Sequence, residues 1–327
     1  MRAAWYERQG SATDVLQVGN LPLPEPAAGE VRVRLQFSGV NPGDVKKRQG
    51  WLGSAMPYPR VVPHSDGAGV IDAIGLGVDK TRIGQRVWVY GAQSYRPGGT
   101  AAEATVVPEA LAVDLPETVS VELGATLGIP GITAHRAVFA DGPVAGQTVL
   151  VHGLRGAVGS LAAQLAHQGG ATVIGTVRRG VEAATVLGDV VSHLVALDGP
   201  DPVARIRGVA PDGVDRIIEV GLSANAGLDA EVVAQGAVIA AYSSPADRPV
   251  LPFWPLLFAN VSLHLLGSDD FPTEAKRQAA CDITAAAANG QLQVTVAPPY
   301  PLDDIATAHQ AVESGSRTGR ILVSIGG

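Results

Sequence analysis

The chain has 327 residues, room for two domains of ordinary size, and its 46% hydrophobic and 17% charged residues suit buried cores and not disorder. A formal net charge of −7 argues against a surface devoted to nucleic acid or anionic lipid. The single cysteine, Cys281, excludes a disulfide framework or a thiolate-rich metal site within one chain.

The opening residues, MRAAWYERQG, have no apolar leader-like run, so a cytoplasmic location is expected. Residues 1 to about 120 read as short strands. Val31, Val33, Leu35 and Phe37 alternate with polar residues, the pattern of a half-buried strand. Asp66 to Ile71 and Arg86 to Tyr90 give two more. Glycine and proline punctuate the gaps, which suggests a partly closed barrel. Residues 119–139 read as helices interrupted at Gly128–Gly131.

Strands and helices then alternate. Strands are expected at 171–177, 193–197, 214–220, 236–242 and 261–266, and helices at 180–188, 202–209 and 224–233. Repeated βα units imply a doubly wound parallel sheet. The uncharged stretch 249–268 is broken by Pro252 and Pro255, and reads as a loop plus a buried strand, not a membrane span. Two helices, 273–289 and 302–314, and a strand at 320–325 close the chain. Cys281 lies in the first of these helices, where a packed thiol is expected.

The stretch TVLVHGLRGAVGSLAAQL, 148–165, organises the alternating region. An apolar strand runs into Gly153, Gly156 and Gly159, and then into a helical face of Leu161, Ala162, Leu165 and Ala166. In a dinucleotide-binding unit the first glycine makes the turn, the second lets backbone approach the pyrophosphate, and the third packs helix against strand. The helix opens at Ala157 and Val158 and offers unpaired N–H groups to phosphate.

Several segments together resemble one family. PLPEPAAGEVRVRLQFSGVNPGDVKKRQG, PHSDGAGVIDAIGLGV, GGTAAEATVVPEALAVDLPE, LGIPGITAHRAVF, the glycine loop and GRILVSI follow, in order, the motifs of the medium-chain dehydrogenase/reductase superfamily. Within it, the chain looks like the zinc-free quinone oxidoreductase (zeta-crystallin-like) branch. The resemblance implies an α/β protein with a GroES-like, partly closed β-barrel catalytic domain and a doubly wound Rossmann domain. The expected boundaries are 1–122 and 267–327 for the catalytic domain and 123–266 for the NAD(P)-binding domain. Short-chain reductases are disfavoured, because the glycine loop lies mid-chain and no tyrosine is followed four positions later by lysine.

Zinc-bearing members of the superfamily place a cysteine where this chain has Asn41 and a histidine where it has Ser65. Tetrahedral zinc needs three or four N/S ligands, so no metal is expected. His64 is one residue out of register and reads as a polar packing residue.

The second strand of the nucleotide domain ends Thr176-Val177-Arg178-Arg179, without the acid that would receive a ribose 2′-OH. Paired arginines fork onto a 2′-phosphate, which favours NADPH; a solvated turn is the alternative. Arg155 in the glycine loop is a further phosphate candidate. Related reductases carry a lysine at the slot of Glu182 and a tyrosine at that of Leu197. The resemblance places Asn41 and Thr133 beside the nicotinamide as catalytic candidates, and Arg320 near the cofactor; loop capping and a solvated strand end are the alternatives. Asp44 is expected to order the Asn41 loop. Tyr90 is a candidate donor to the substrate and Tyr242 one on the cofactor side, each with a strand-core alternative. Lys46 and Trp51 stand where quinone reductases often carry pocket tyrosines.

The expected function is zinc-independent hydride transfer from NADPH to a quinone. Reduction of an activated C=C bond in an enone, enal or enoyl thioester is the first alternative, and an NADPH-binding protein with little catalysis the second. The expected partners are a small-molecule quinone or α,β-unsaturated carbonyl and a second copy of the chain. In the resembling family the strand corresponding to 261–266 pairs across a two-fold axis; no membrane or nucleic-acid partner is expected.

Overall fold

A computed structural model describes residues 1–179, 188–315 and 319–326. The chain divides into two compact units, Met1–Ile129 with Ala280–Gly327, and Pro130–Ala279.

The first unit opens with an antiparallel ribbon of β1 (Arg2–Trp5) and β2 (Gln17–Asn20) around a short α1 (Ala12–Val15). β3 (Glu30–Gly39), α2 (Pro42–Gln49), β4 (Asp66–Ile74), β5 (Arg86–Val89), β6 (Ala104–Pro108) and β7 (Ala112–Asp114) follow. β3 is the spine because its alternation buries Val31, Val33 and Leu35. β4 pairs along its length, and β6 pairs with its first half. α3 (Val121–Phe139) is two helical segments that meet at a kink at Gly128, where the sequence reading places an interruption.

The second unit holds β8 (Thr148–Val151), α4 (Ala157–Gln168), β9 (Thr172–Val177), β10 (His193–Ala196), α5 (Pro202–Val209), β11 (Val214–Glu219), α6 (Leu222–Val232), β12 (Val233–Ala241), α7 (Phe253–Phe258) and β13 (Ser262–Leu265). Its sheet is parallel throughout, in the order β10-β9-β8-β11-β12-β13. The winding reverses between β8 and β11, the switch point at which open α/β sheets bind ligands beyond their carboxyl ends. Leu150, Ile174, Val195, Ile217 and Ile239, one from each of the five strands β8 to β12, make the core.

α8 (Thr273–Ala288) leads back to the first unit, where β14 (Tyr300–Pro301), α9 (Ile305–Ser314) and β15 (Leu322–Ser324) complete the barrel sheet. β15 pairs with the far half of β3, at Phe37 to Gly39.

Two expectations need correcting. The segment 249–268 contains the helix α7, and β13 is an edge strand with Leu265 74% exposed, not a buried one. Pro252 and Pro255 fall at the N-cap and first turn, where a missing N–H costs no helical bond. Cys281 is exposed. The buried stripe of α8 runs through Ala280, Ile283 and Ala287, and position 281 lies off it. Among the described residues no helix is long and apolar enough to cross a membrane.

Candidate functional site

The glycine loop is built as its spacing predicts. Gly153 sits at φ +66°, and the Gly156 N–H closes the turn onto its carbonyl at 2.8 Å. A Cβ on Gly159 would stand 2.5 Å from the Gly153 carbonyl oxygen, so only glycine lets α4 approach β8 this closely. Gly156 is the N-cap of α4 and supplies no side-chain acceptor, which leaves the first-turn N–H groups at Ala157, Val158 and Gly159 open to an anion. Arg155 is exposed on this loop, and Arg178 and Arg179 are exposed just beyond β9. The expected helix at 180–188, with the Glu182 slot, lies outside the described residues apart from Gly188.

Thr176 turns its hydroxyl inward, 2.9 Å from His152 Nδ1, so the backbone of its strand end, not its side chain, faces the nucleotide loop: its carbonyl accepts from Leu154 at 3.1 Å. Tyr242 is half-buried after β12; burial and the Glu219 charge push its hydroxyl pKa above the ordinary value. Thr133 is buried in α3.

Beneath the loop lies a cluster that the sequence did not single out. His152, Glu219 and Asp229 are all fully buried. His152 Nε2 meets Asp229 Oδ1 at 2.9 Å and Glu219 Oε2 at 3.6 Å. Asn225 Nδ2 donates to both Glu219 oxygens, at 3.0 and 3.1 Å, and the Gly221 N–H donates to one. Asp229 Oδ2 has no hydrogen-bond partner among the described residues. The one available signal is in RIIEV, where an acid follows two isoleucines at the end of a strand.

In the barrel unit the hub is Asp66, at the start of β4 and fully buried. Its Oδ2 accepts from Asn41 Nδ2 at 2.8 Å and from Arg320 Nη2 at 3.0 Å; its Oδ1 accepts from the Ile129 N–H at 2.8 Å. That last bond fills the break in α3, and a Cβ on Gly128 would come within 2.1 Å of the same oxygen. Arg320, six per cent exposed, also donates to the Val40 carbonyl at 2.5 Å. Asp44 at the third position of α2 reaches back to the Asn41 N–H at 2.7 Å, so it orders the Asn41 loop. Asn41, Asp66 and Arg320 thus form one network.

The donor set at the superfamily's zinc position does not fit zinc. Asn41 donates to Asp66, Asp66 is neutralised by Arg320, and Ser65 stands where the imidazole would. His64 is fully buried and hydrogen-bonds Ser38 and His309. Tyr90 is buried against Trp88, with centroids 5.7 Å apart. Lys46 Nζ sits 4.2 Å from the centroid of the Trp51 ring, a cation–π pair in place of two tyrosines.

Residues 27–117 match the family model described as the alcohol dehydrogenase GroES-like domain, and residues 191–323 the one described as zinc-binding dehydrogenase. Quinone oxidoreductase of Mus musculus is 30% identical over 311 residues, 92% of this chain and 91% of its own. The crystal structure of an NAD-dependent alcohol dehydrogenase superposes with a TM-score of 0.88 over the whole of both chains, at 26% identity. A mycobacterial protein solved in complex with NADPH superposes with a TM-score of 0.82 over 99% of each chain, at 27% identity.

Proposed function

The chain is an oxidoreductase of the medium-chain dehydrogenase/reductase superfamily, and from that premise we propose that it delivers hydride from NADPH to a quinone without zinc. The observation that carries this reading is the replacement of the superfamily's zinc ligands by a hydrogen-bonded Asn41–Asp66–Arg320 network, in a chain whose nucleotide loop is intact.

NADPH supplies the hydride. The chain's own residues bind, orient and stabilise. The open N–H groups of α4 receive the pyrophosphate, and Arg178 and Arg179 form charge-assisted bonds with the 2′-phosphate. Arg155 adds a phosphate contact, and Tyr242 and the strand end at Thr176 border the cofactor site. Asp66 takes one hydrogen of the Asn41 amide and fixes its plane. The second N–H is left to meet the negative charge that grows on the substrate oxygen. Asn41 and Thr133 are the residues assigned to the nicotinamide and the reacting carbon, with Tyr90 as a further donor. Arg320 acts through Asp66, pairing with its carboxylate at 3.0 Å.

Quinones are proposed over enones and enals on the kinship with quinone oxidoreductases. The test is a rate comparison of NADPH oxidation with simple quinones, enones and enals at matched concentrations. Quinones are expected to give the highest kcat/KM. A clear preference for the enones reassigns the substrate to activated C=C bonds.

The proposed assembly is a cytoplasmic homodimer paired along β13. That edge strand carries Leu265 at 74% exposure, and α7 in the same unit exposes Phe253, Trp254 and Phe258 at 62, 63 and 70%. An open apolar edge of this kind is covered in native proteins.

A further inference from the structure

The carboxyl ends of β8 and β11 flank the switch point of the sheet, and each delivers a buried titratable group there. His152 directly precedes Gly153, and Glu219 closes β11. Asp229 joins them from α6 and Thr176 from β9, so four elements are tied into one cluster under the nucleotide loop. Its connection to the loop is covalent and steric: His152 and Gly153 are consecutive, and a Cβ on Gly159 would meet both their carbonyl oxygens, at 3.2 and 2.5 Å.

The cluster is short of protons. One imidazole Nε2 faces two carboxylates, and Asp229 Oδ2 has no donor among the described residues. With the imidazole charged and both acids ionised, one negative charge remains in a fully buried setting, which low polarity penalises. Among the described residues, the groups facing the cluster are Thr176 on β9, Glu219 on β11, Asn225 and Asp229 on α6, and Tyr242 beyond β12. None of them is a cation. A further proton relieves the charge.

We propose that the His152–Glu219–Asp229 cluster is a proton-accepting positioning device for the cofactor loop, and that binding of the dinucleotide's phosphates draws a proton from solvent into it. The coupling is electrostatic: phosphate charge placed above the loop raises the cost of the buried negative charge below it. Proton uptake neutralises that charge and leaves His152, and with it Gly153, fixed.

The protonation range supports this. Burial pushes the Glu219 carboxyl up to about 7. Burial opposes the charged His152 imidazole, but the Asp229 hydrogen bond and the charges of Asp229 and Glu219 outweigh it and hold its pKa above the ordinary value. The cluster as a whole therefore keeps protons into the neutral range. A group that gains a proton on binding makes affinity rise as pH falls through its range, by reciprocity.

This role presupposes the cofactor site proposed above. The test is calorimetric titration of the full chain with NADPH near neutral pH, in buffers of different ionisation enthalpy, which counts protons taken up per cofactor bound. The same count is made on Glu219→Gln and Asp229→Asn. The cofactor's own 2′-phosphate contributes equally to all three proteins and cancels in the comparison. The wild type is expected to take up more protons than either variant. Its NADPH Kd should rise with pH more steeply than theirs, by up to about tenfold per pH unit for one linked proton. Equal counts in the wild type and whichever variants fold overturn the proposal and leave the cofactor site standing. Absence of any NADPH binding by the wild type overturns both. Stoichiometric divalent metal in the purified protein, lost in Asp229→Asn, also overturns it, because the cluster would then hold a cation in place of the proton.

Discussion

His64 and His309 meet Nε2 to Nε2 at 2.9 Å inside the barrel unit, and the direction of that bond follows from its surroundings. Arg48 Nε donates to His309 Nδ1 at 3.3 Å, so His309 carries its proton on Nε2 and donates to His64. His64 then donates from Nδ1 to Ser38, Ser38 to Thr100 at 2.7 Å, and Thr100 to the Asp66 carbonyl at 2.5 Å. The chain begins at a guanidinium and ends at a carbonyl. It carries no proton between them; it locks Asp66 against α9.

Both imidazoles are neutral in the fold. Burial, His309 and Arg320 lower His64 well below its ordinary pKa; burial and Arg48 lower His309 to about 3. The unfolded chain takes up protons at these histidines as pH falls through about 6.5, and the folded chain does not. Their contribution is therefore complete above that pH and lost below it. Denaturant melts from neutral to about pH 4 should show His309→Gln losing stability less steeply than wild type, by roughly 1.4 kcal/mol per pH unit for one proton. Parallel slopes would contradict the neutral pair.

The contact of Gly128 with Asp66 predicts a second effect. Gly128→Ala places a methyl against Asp66 Oδ1 and displaces the Ile129 N–H from it, at a cost of ~2–4 kcal/mol in thermal or denaturant melts. Gly43→Ala is the control: nothing lies within 4 Å of its Cβ, and it should be neutral or slightly stabilising.

How far the sequence carries depends on how local each constraint is. Gly153, Gly156 and Gly159 were legible because the demands on them come from neighbours a few residues away. The strands of the parallel sheet were legible for the same reason. The clusters were not. His64 reads as a packing residue, but its partner His309 lies 245 residues away and His152 and Asp229 are 77 apart, and nothing in the local pattern pairs them. Asp66 reads as the start of a strand, and its tie to Arg320 spans 254 residues. α7 was missed because two prolines hide a helix whose first turn tolerates them.

The charge pair beyond β9 predicts cofactor choice. Replacing both Arg178 and Arg179 with serine should raise the Kd for NADPH by about 10–100-fold, at ~1.5–3 kcal/mol for bonds to a charged group, and leave that for NADH nearly unchanged. Fluorescence titration reads both. Equal loss for the two cofactors would place the arginines elsewhere than on the 2′-phosphate. Arg155→Ser should weaken both cofactors alike, since the pyrophosphate is common to them.

The exposed edge predicts the assembly. Leu265→Lys puts a charge on β13, and sedimentation should show a wild-type dimer at micromolar concentration and a monomeric variant with unchanged barrel stability. A wild-type monomer would contradict the paired edge.

The proposed reaction is hydride delivery from NADPH to a quinone without metal. Its most direct test follows the loss of nicotinamide absorbance on mixing the chelator-treated, metal-analysed protein with NADPH and a simple quinone. Turnover is expected at the same rate before and after chelation. Confirmed NADPH binding with no oxidation across a quinone panel, or activity that vanishes with the chelator and returns with zinc, would contradict it.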